Sequence, residues 1–241
     1  MGAPLRAVDL DARPVCPFAE CDGSGWILGP EDVARPCRCR EKRMAQRRTR
    51  GVASALPRRY RDVSIELLRN DGTNPTALRV VEEFVADLDA NLAEGRGLWL
   101  AGGVGNGKTS LAMVVSKKAL EAGRSVVIYS MPKLLTRIRA TFGDDYVGDS
   151  YPQLFERLTT SDLLHIDDLG AEKQSEWVLE QLYAIVNERY EAKRSMLITT
   201  NLDEEKLAEQ VGARTVSRLL EMCGHVEIPD GDRRPYLAPE L

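Results

Sequence analysis

At 241 residues, with 43% hydrophobic and 29% charged side chains, the chain can bury one sizeable core and carry a small appended module. It has no apolar run of about 18 residues, which excludes a membrane-spanning helix, and its opening stretch MGAPLRAVDLDARPVC lacks the charged-then-apolar pattern of a secretory signal. The net charge of −4 divides unevenly, with 13 Lys+Arg against 7 Asp+Glu in residues 1–61 and 20 against 30 in the remainder. A basic front and an acidic body imply two units with different partners. The expected compartment is the cytoplasm, where clustered cysteines point to metal rather than to disulfides.

In chain order, residues 1–50 come first and show little apolar periodicity. They hold four of the five cysteines, Cys16, Cys21, Cys37 and Cys39. Two close pairs separated by a loop are how a structural zinc site is usually encoded, and four thiolates satisfy tetrahedral Zn²⁺. A module this small cannot fold on its apolar residues alone, so metal would supply its stability. The spacing departs from two CxxC knuckles, so an iron–sulfur cluster or unligated thiols remain alternatives. The basic excess peaks in RPCRCREKRMAQRRTR, Arg35 to Arg50, which reads either as a docking or nucleic-acid-binding linker or as a solvated helix.

ALPRRYRDV, from Ala55 to Val63, reads as the linker into a second domain, so the expected division is 1–50 and 51–241. ALRVVEEFVADLDANLA then has apolar residues at helical spacing. GLWLAG, SVVIYS, LLHIDDLG, SMLITTN and HVEI read as strands, with helical patterns between them. Strands alternating with helices predict an α/β domain with a largely parallel, doubly wound sheet. GARTVSRLLEMCG is expected to be a helix carrying Arg214, Arg218 and Cys223, the thiol packed inside.

GGVGNGKTS fits G-x-x-x-x-G-K-[ST] between a predicted strand and a predicted helix. Gly102, Gly103, Val104, Gly105, Asn106, Gly107, Lys108, Thr109 and Ser110 would cradle phosphates through inward-pointing N–H groups and a helix N-terminus. Lys108 would reach the β- and γ-phosphates, and Thr109 would hold Mg²⁺. LLHIDDLG delivers Asp167 to the C-terminal end of a strand, where ligands sit in open α/β sheets. Asp167 would share the Mg²⁺, and Asp168 would orient the attacking water. His165 reads as a packed core residue. Asn201 ends another strand and is a candidate for the lytic water or the γ-phosphate. Arg214 and Arg218, four apart, share a helix face.

GGVGNGKTSLA, LLHIDDLGAEKQSEWVLEQLYAIVNERY, ITTNL and GARTVSRLLEMC stand in this order. Together they resemble the DnaC/DnaI/IstB group of AAA+ ATPases, which comprises replicative helicase loaders and transposition helpers. The likeness runs from about Leu56 to Arg234. It implies a P-loop domain on a five-stranded parallel sheet and ATP hydrolysis, slow and stimulated by partners. Lys108 and Thr109 match Walker A, Asp167 and Asp168 match Walker B, and Asn201 matches sensor 1. Arg218 matches an arginine finger acting in trans, with Arg214 a second candidate, so protomers would associate head to tail. Only 13 residues follow HVEI, too few for a full helical lid, as in the loaders. Arg233 or Arg234 matches a terminal Gly-x-x-Arg segment.

The resemblance also implies function. Relatives place a helix that lines a single-stranded DNA path between the second and third core strands. Lys133, Arg137 and Arg139 are the candidate phosphate contacts there, against the alternative of a solvated face. DnaI-type loaders and many phage loaders carry an N-terminal zinc domain that contacts a DnaB-type helicase, which IstB-type helpers generally lack. The expected function is therefore an ATP-dependent loader of a hexameric replicative helicase onto single-stranded DNA, with ATP/ADP, Mg²⁺ and Zn²⁺ as cofactors. The alternatives are an IstB-like helper that remodels double-stranded DNA and a non-hydrolysing, ATP-switched adaptor.

Overall fold

A computed structural model of the chain describes residues 16, 18–22, 24, 26–28, 33–40, 56–143 and 148–229. It falls into two compact units, 1–51 and 52–241. The first has strand β1 (Trp26–Leu28) paired antiparallel with β2 (Ala34–Pro36), Ile27 opposite Arg35. A helical turn over 38–40 follows. Its interior is sulfur: Cys16, Cys37 and Cys39 are buried, with Cys21 and Ile27 packed against them.

The second unit opens with a 3₁₀ turn (Arg58–Tyr60) and helices α1 (Ile65–Asn70), α2 (Pro75–Ala86) and α3 (Leu88–Ala93). Strands and helices then alternate: β3 (Gly97–Gly102), α4 (Lys108–Glu121), β4 (Val126–Ser130), α5 (Met131–Ala140), α6 (Tyr151–Thr160), β5 (Leu163–Asp167), α7 (Glu176–Glu191) and β6 (Ser195–Thr200). Helices α8 (Glu204–Val211) and α9 (Ala213–Met222) precede the last strand, β7 (Cys223–Ile228). The five strands lie in the order β4-β5-β6-β3-β7, and every pair is parallel. The expected sheet is thus present, fully parallel.

Successive side chains of a strand point to opposite faces, and the sheet splits its apolar residues accordingly. Leu98, Leu100, Leu163 and Leu197 join the core under α2 and α4. Trp99, Ala101, Leu164, Ile166, Met196 and Ile198 join the core under α5, α6 and α7. Strands covered on both faces read as continuous apolar runs, as GLWLAG and SMLITT do. Caps set several helix starts. Asn74 Oδ1 accepts from Thr76 N and Ala77 N ahead of Pro75, and Ser175 Oγ accepts from Val178 N.

Two local expectations change. The single helix expected over 77–93 breaks at Asp87. Asn91 Nδ2 donates to Phe84 O at 3.0 Å and folds α3 back, so that Leu88 and Leu92 reach the core that holds Val81 and Phe84. Cys223, expected on the helix with Arg218, is instead the first residue of β7, aligned with Gly97. Its thiol donates to Met196 O at 3.6 Å. A side chain on Gly97 would meet that same carbonyl at 1.9 Å, so glycine makes room for the pairing.

Candidate functional site: a phosphate loop and a four-cysteine cluster

The segment from Gly102 to Gly107 leaves β3 and enters α4 through a backbone that asks for glycine. Gly102, Gly105 and Gly107 have φ of 138°, 87° and 85°, values that side chains rarely tolerate. At Gly102 a Cβ would also lie 2.2 Å from Ile228 O. Asn106 is buried, and its Nδ2 donates to Ile228 O at 3.1 Å and to Pro229 O at 3.0 Å. The loop is therefore fastened to the end of β7, a second role for Asn106 that the motif does not announce.

Lys108 is buried, with Nζ donating to Gly102 O at 2.8 Å and Gly103 O at 2.6 Å. Thr109 Oγ1 donates to Asp167 Oδ1 at 2.9 Å, and Thr199 Oγ1 donates to the same oxygen at 2.7 Å. A hydroxyl and a carboxylate meeting at the mouth of a phosphate loop are hard oxygen donors suited to Mg²⁺. Asp168 stands in the left-handed region at φ 56°, with its N–H donating to Thr199 Oγ1 at 2.9 Å. Burial, then the neighbouring Asp167, raises its carboxyl above the usual range, while Lys108 and a hydrogen bond from Asn201 pull it back. The structure thus brings Lys108, Thr109, Asp167, Asp168 and Asn201 together.

Of these, Lys108, Thr109, Asp168 and Asn201 line a cavity of about 450 Å³ with Arg59, Tyr60, Leu68, Asp71 and Thr73, within the range of small-ligand pockets. The 3₁₀ turn and the end of α1 supply that wall. Lys117 Nζ fixes the turn by donating to Arg61 O and Val63 O at 2.8 and 2.9 Å. Burial raises the Tyr60 phenol; Arg59 and Thr109 oppose the shift, and Asp167 and Asp168 add to it. In the sequence this segment reads as a linker only. A tyrosine beside two arginines was its one local signal.

Other predicted residues sit apart. Arg214 and Arg218 do not line the cavity. Arg218 stacks on Tyr183 and Tyr190 of α7, with ring centroids 4.9 and 5.6 Å away. On α5, Lys133 is exposed, Arg137 pairs with Asp149 at 3.5 Å, and Arg139 lies over Trp177 at 4.9 Å. Two of the three candidate DNA contacts therefore already have intramolecular partners. His165 is fully buried as expected. Its Nδ1 lies 2.9 Å from Ser116 Oγ, and burial lowers its pKa to about 3, so it is neutral. Arg233 and Arg234 lie outside the described residues.

The four clustered sulfurs lie within 4.8 Å of one another, with Cys16 to Cys37 at 3.8 Å and Cys21 to Cys39 at 3.5 Å. A zinc–sulfur bond of about 2.3 Å sets a tetrahedral edge of about 3.8 Å, so the spacing fits one ion. An iron–sulfur cluster, with inorganic sulfide between its irons, would hold the thiolates further apart. Against the opposing effect of burial, backbone N–H groups of Phe18, Glu20 and Cys21 lower the Cys16 thiol to about 6. Such N–H groups support a metal-bound thiolate.

Among the described residues no helix is long and apolar enough to cross a membrane. The chain is 29% identical over 143 residues to the replicative helicase loader DnaC of Escherichia coli K12; the match covers 59% of this chain and 56% of that protein. The chain thus spans about half the length of that relative. The solved structure of the DnaC helicase loader superposes with a TM-score of 0.63 at 26% identity, covering 71% of this chain and 99% of that one. The structure of DnaI gives 0.61 at 26% identity, covering 72% and 94%. The fold is the AAA+ type that these neighbours share. A family profile described as IstB-like ATP binding protein matches residues 34–234. The chain belongs to the family of IstB-like ATP-binding proteins.

Proposed function

We propose that this protein is an ATP-dependent loader of a hexameric, DnaB-type replicative helicase onto single-stranded DNA. The observation that carries the reading is the union, in one chain, of a complete phosphate site and a four-thiolate cluster in a separate compact unit. The similarity to proteins named helicase loaders supports it. Residues 1–50 are the helicase-docking module and 51–241 the ATPase domain.

Within that reading the protein binds ATP on the loop from Gly102 to Ser110 and hydrolyses it slowly. Thr109 and Asp167 hold Mg²⁺, which neutralises phosphate charge. Asp168 and Asn201, which line the same cavity, orient the attacking water, and Lys108 stabilises the transferring phosphoryl group. Arg218, outside its own cavity, serves a neighbouring protomer's site in a head-to-tail assembly, and its tyrosine stack is the contact it leaves to do so. Lys133 is the α5 residue best placed for DNA.

Lys108→Ala should abolish nucleotide-dependent loading and leave helicase capture intact. Capture should vanish when residues 1–50 are removed. Loading by the Lys108 variant would sink the ATP step, and capture by the truncated chain would sink the docking module. The family profile keeps a second reading alive, a transposition helper that remodels double-stranded DNA. That reading predicts tight duplex binding and no affinity for a helicase. An ATP-switched adaptor would bind nucleotide and release no phosphate.

A further inference from the structure

The cysteine unit presents two aromatic rings to solvent. Phe18 is 40% exposed and Trp26 is 41% exposed, although large aromatic rings ordinarily gain by burial. Each ring is faced by an arginine. The guanidinium carbon of Arg38 lies 4.9 Å from the Phe18 centroid, and that of Arg40 lies 3.9 Å from the Trp26 centroid. Both arginines sit on the helical turn that carries Cys39, closed by Arg40 N donating to Cys37 O at 2.9 Å. The thiolate cluster therefore fixes the position of both stacks.

The sequence that runs through this turn is strongly basic. Arg35 to Arg50 holds eight basic residues and one acid, Glu41. Glu20 is ion-paired with Arg38. A cleft of about 590 Å³ beside Trp26 is lined by Glu20, Asp22, Ser24, Ile27 and Ala34 among others, which gives a base room and hydrogen-bond acceptors for its N–H groups. An unpaired base stacks on any aromatic face, and arginine adds a cation–π contribution and an answer to phosphate. A duplex hides its base faces. A protein partner would use the same rings and arginines; the eight basic residues against one acid from Arg35 to Arg50 favour a polyanion.

We infer that the Phe18–Arg38 and Trp26–Arg40 pairs form a stacking platform for single-stranded DNA. The choice of DNA over RNA rests on the loader reading; the platform itself does not. It gives the cysteine unit a nucleic-acid contact of its own, separate from α5.

The test uses the full-length, zinc-loaded protein without nucleotide, titrated with oligo(dT) while tryptophan emission and the anisotropy of labelled DNA are followed. Oligo(dT) should quench the emission, and Trp26→Phe should remove most of the quench while keeping affinity within about threefold, since a ring remains. Trp26→Ala and Phe18→Ala should each weaken binding about 5–30-fold. Arg40→Gln should flatten the slope of log affinity against log salt by about 0.7. Zinc content equal to the parent's marks a folded unit; if an alanine variant loses zinc, the Trp26→Phe quench decides alone. An unchanged quench in Trp26→Phe overturns the platform. So do unchanged affinities in both alanine variants, or loss of helicase capture with DNA affinity intact, which assigns the face to a protein. Tighter binding of oligo(U) than of oligo(dT) overturns the choice of DNA. A parent protein that quenches on oligo(dT) but captures no helicase sinks the loader reading and leaves the platform standing.

Discussion

The two units of this chain solve the same problem by different means. The unit from Val52 onward has two apolar layers, one on each face of a five-stranded sheet, and its largest buried side chains include Trp99, Leu111 and Leu164. The described residues of the cysteine unit form two three-residue strands, one helical turn and an interior made of thiols. A small module lacks the volume for a core, and four thiols placed to hold one metal ion offer ligand bonds in place of apolar burial. The difference teaches that the units should fail independently and under different insults.

The largest expected effect is on the smaller unit. Chelation, or Cys37→Ser, should unfold it outright, seen as loss of bound zinc and of helicase capture while a fluorescent ATP analogue still binds. Loss of nucleotide binding on chelation would refute the independence. The converse is Leu182→Ala, at a fully buried position of α7, which should cost about 2–5 kcal/mol in a urea titration. Zinc content should hold while the larger unit melts earlier; a matching fall in zinc would mean the units share their stability.

A third, smaller effect separates stability from chemistry inside the larger unit. The Asp168 carboxyl is raised by burial and by Asp167, so the folded state holds that proton more tightly than the unfolded chain does. Its contribution favours folding below about pH 4, the unfolded value, and is lost as pH rises through the folded value. Asp168→Asn should therefore raise the thermal midpoint at about pH 7 while removing phosphate release. The gain should stay below about 1 kcal/mol because water reaches the group, and it should vanish below about pH 4. A midpoint that is lower at neutral pH would show that the carboxylate is needed for structure.

What was legible in the sequence was whatever local geometry dictates. Gly102, Gly105 and Gly107 announced the loop because its backbone needs positive φ, and GLWLAG and SMLITT announced buried strands because both faces are covered. The sulfur cluster was legible because ligand spacing is local. What was hidden depends on residues that meet only in space. Arg59, Tyr60, Asp71 and Thr73 wall the cavity from elements that carry no motif of their own. Arg218 reads as a free cation on a helix face, yet two tyrosines of α7 hold it. Cys223 follows a helical pattern and is drawn into a strand by its register with Gly97. The break at Asp87 was likewise invisible, since apolar spacing continues through it.

The fastening of Asn106 to Ile228 and Pro229 has a consequence for how the protein is made. Residues 122 and 123 positions apart must meet before the phosphate loop is anchored. On the ribosome, where synthesis runs from the N-terminus, the loop emerges long before the strand that holds it. A nascent chain stopped short of Cys223 would carry the whole Walker motif beside an uncovered edge of β3. Competence to bind nucleotide should therefore arrive abruptly, late in synthesis, when β7 is released from the exit tunnel.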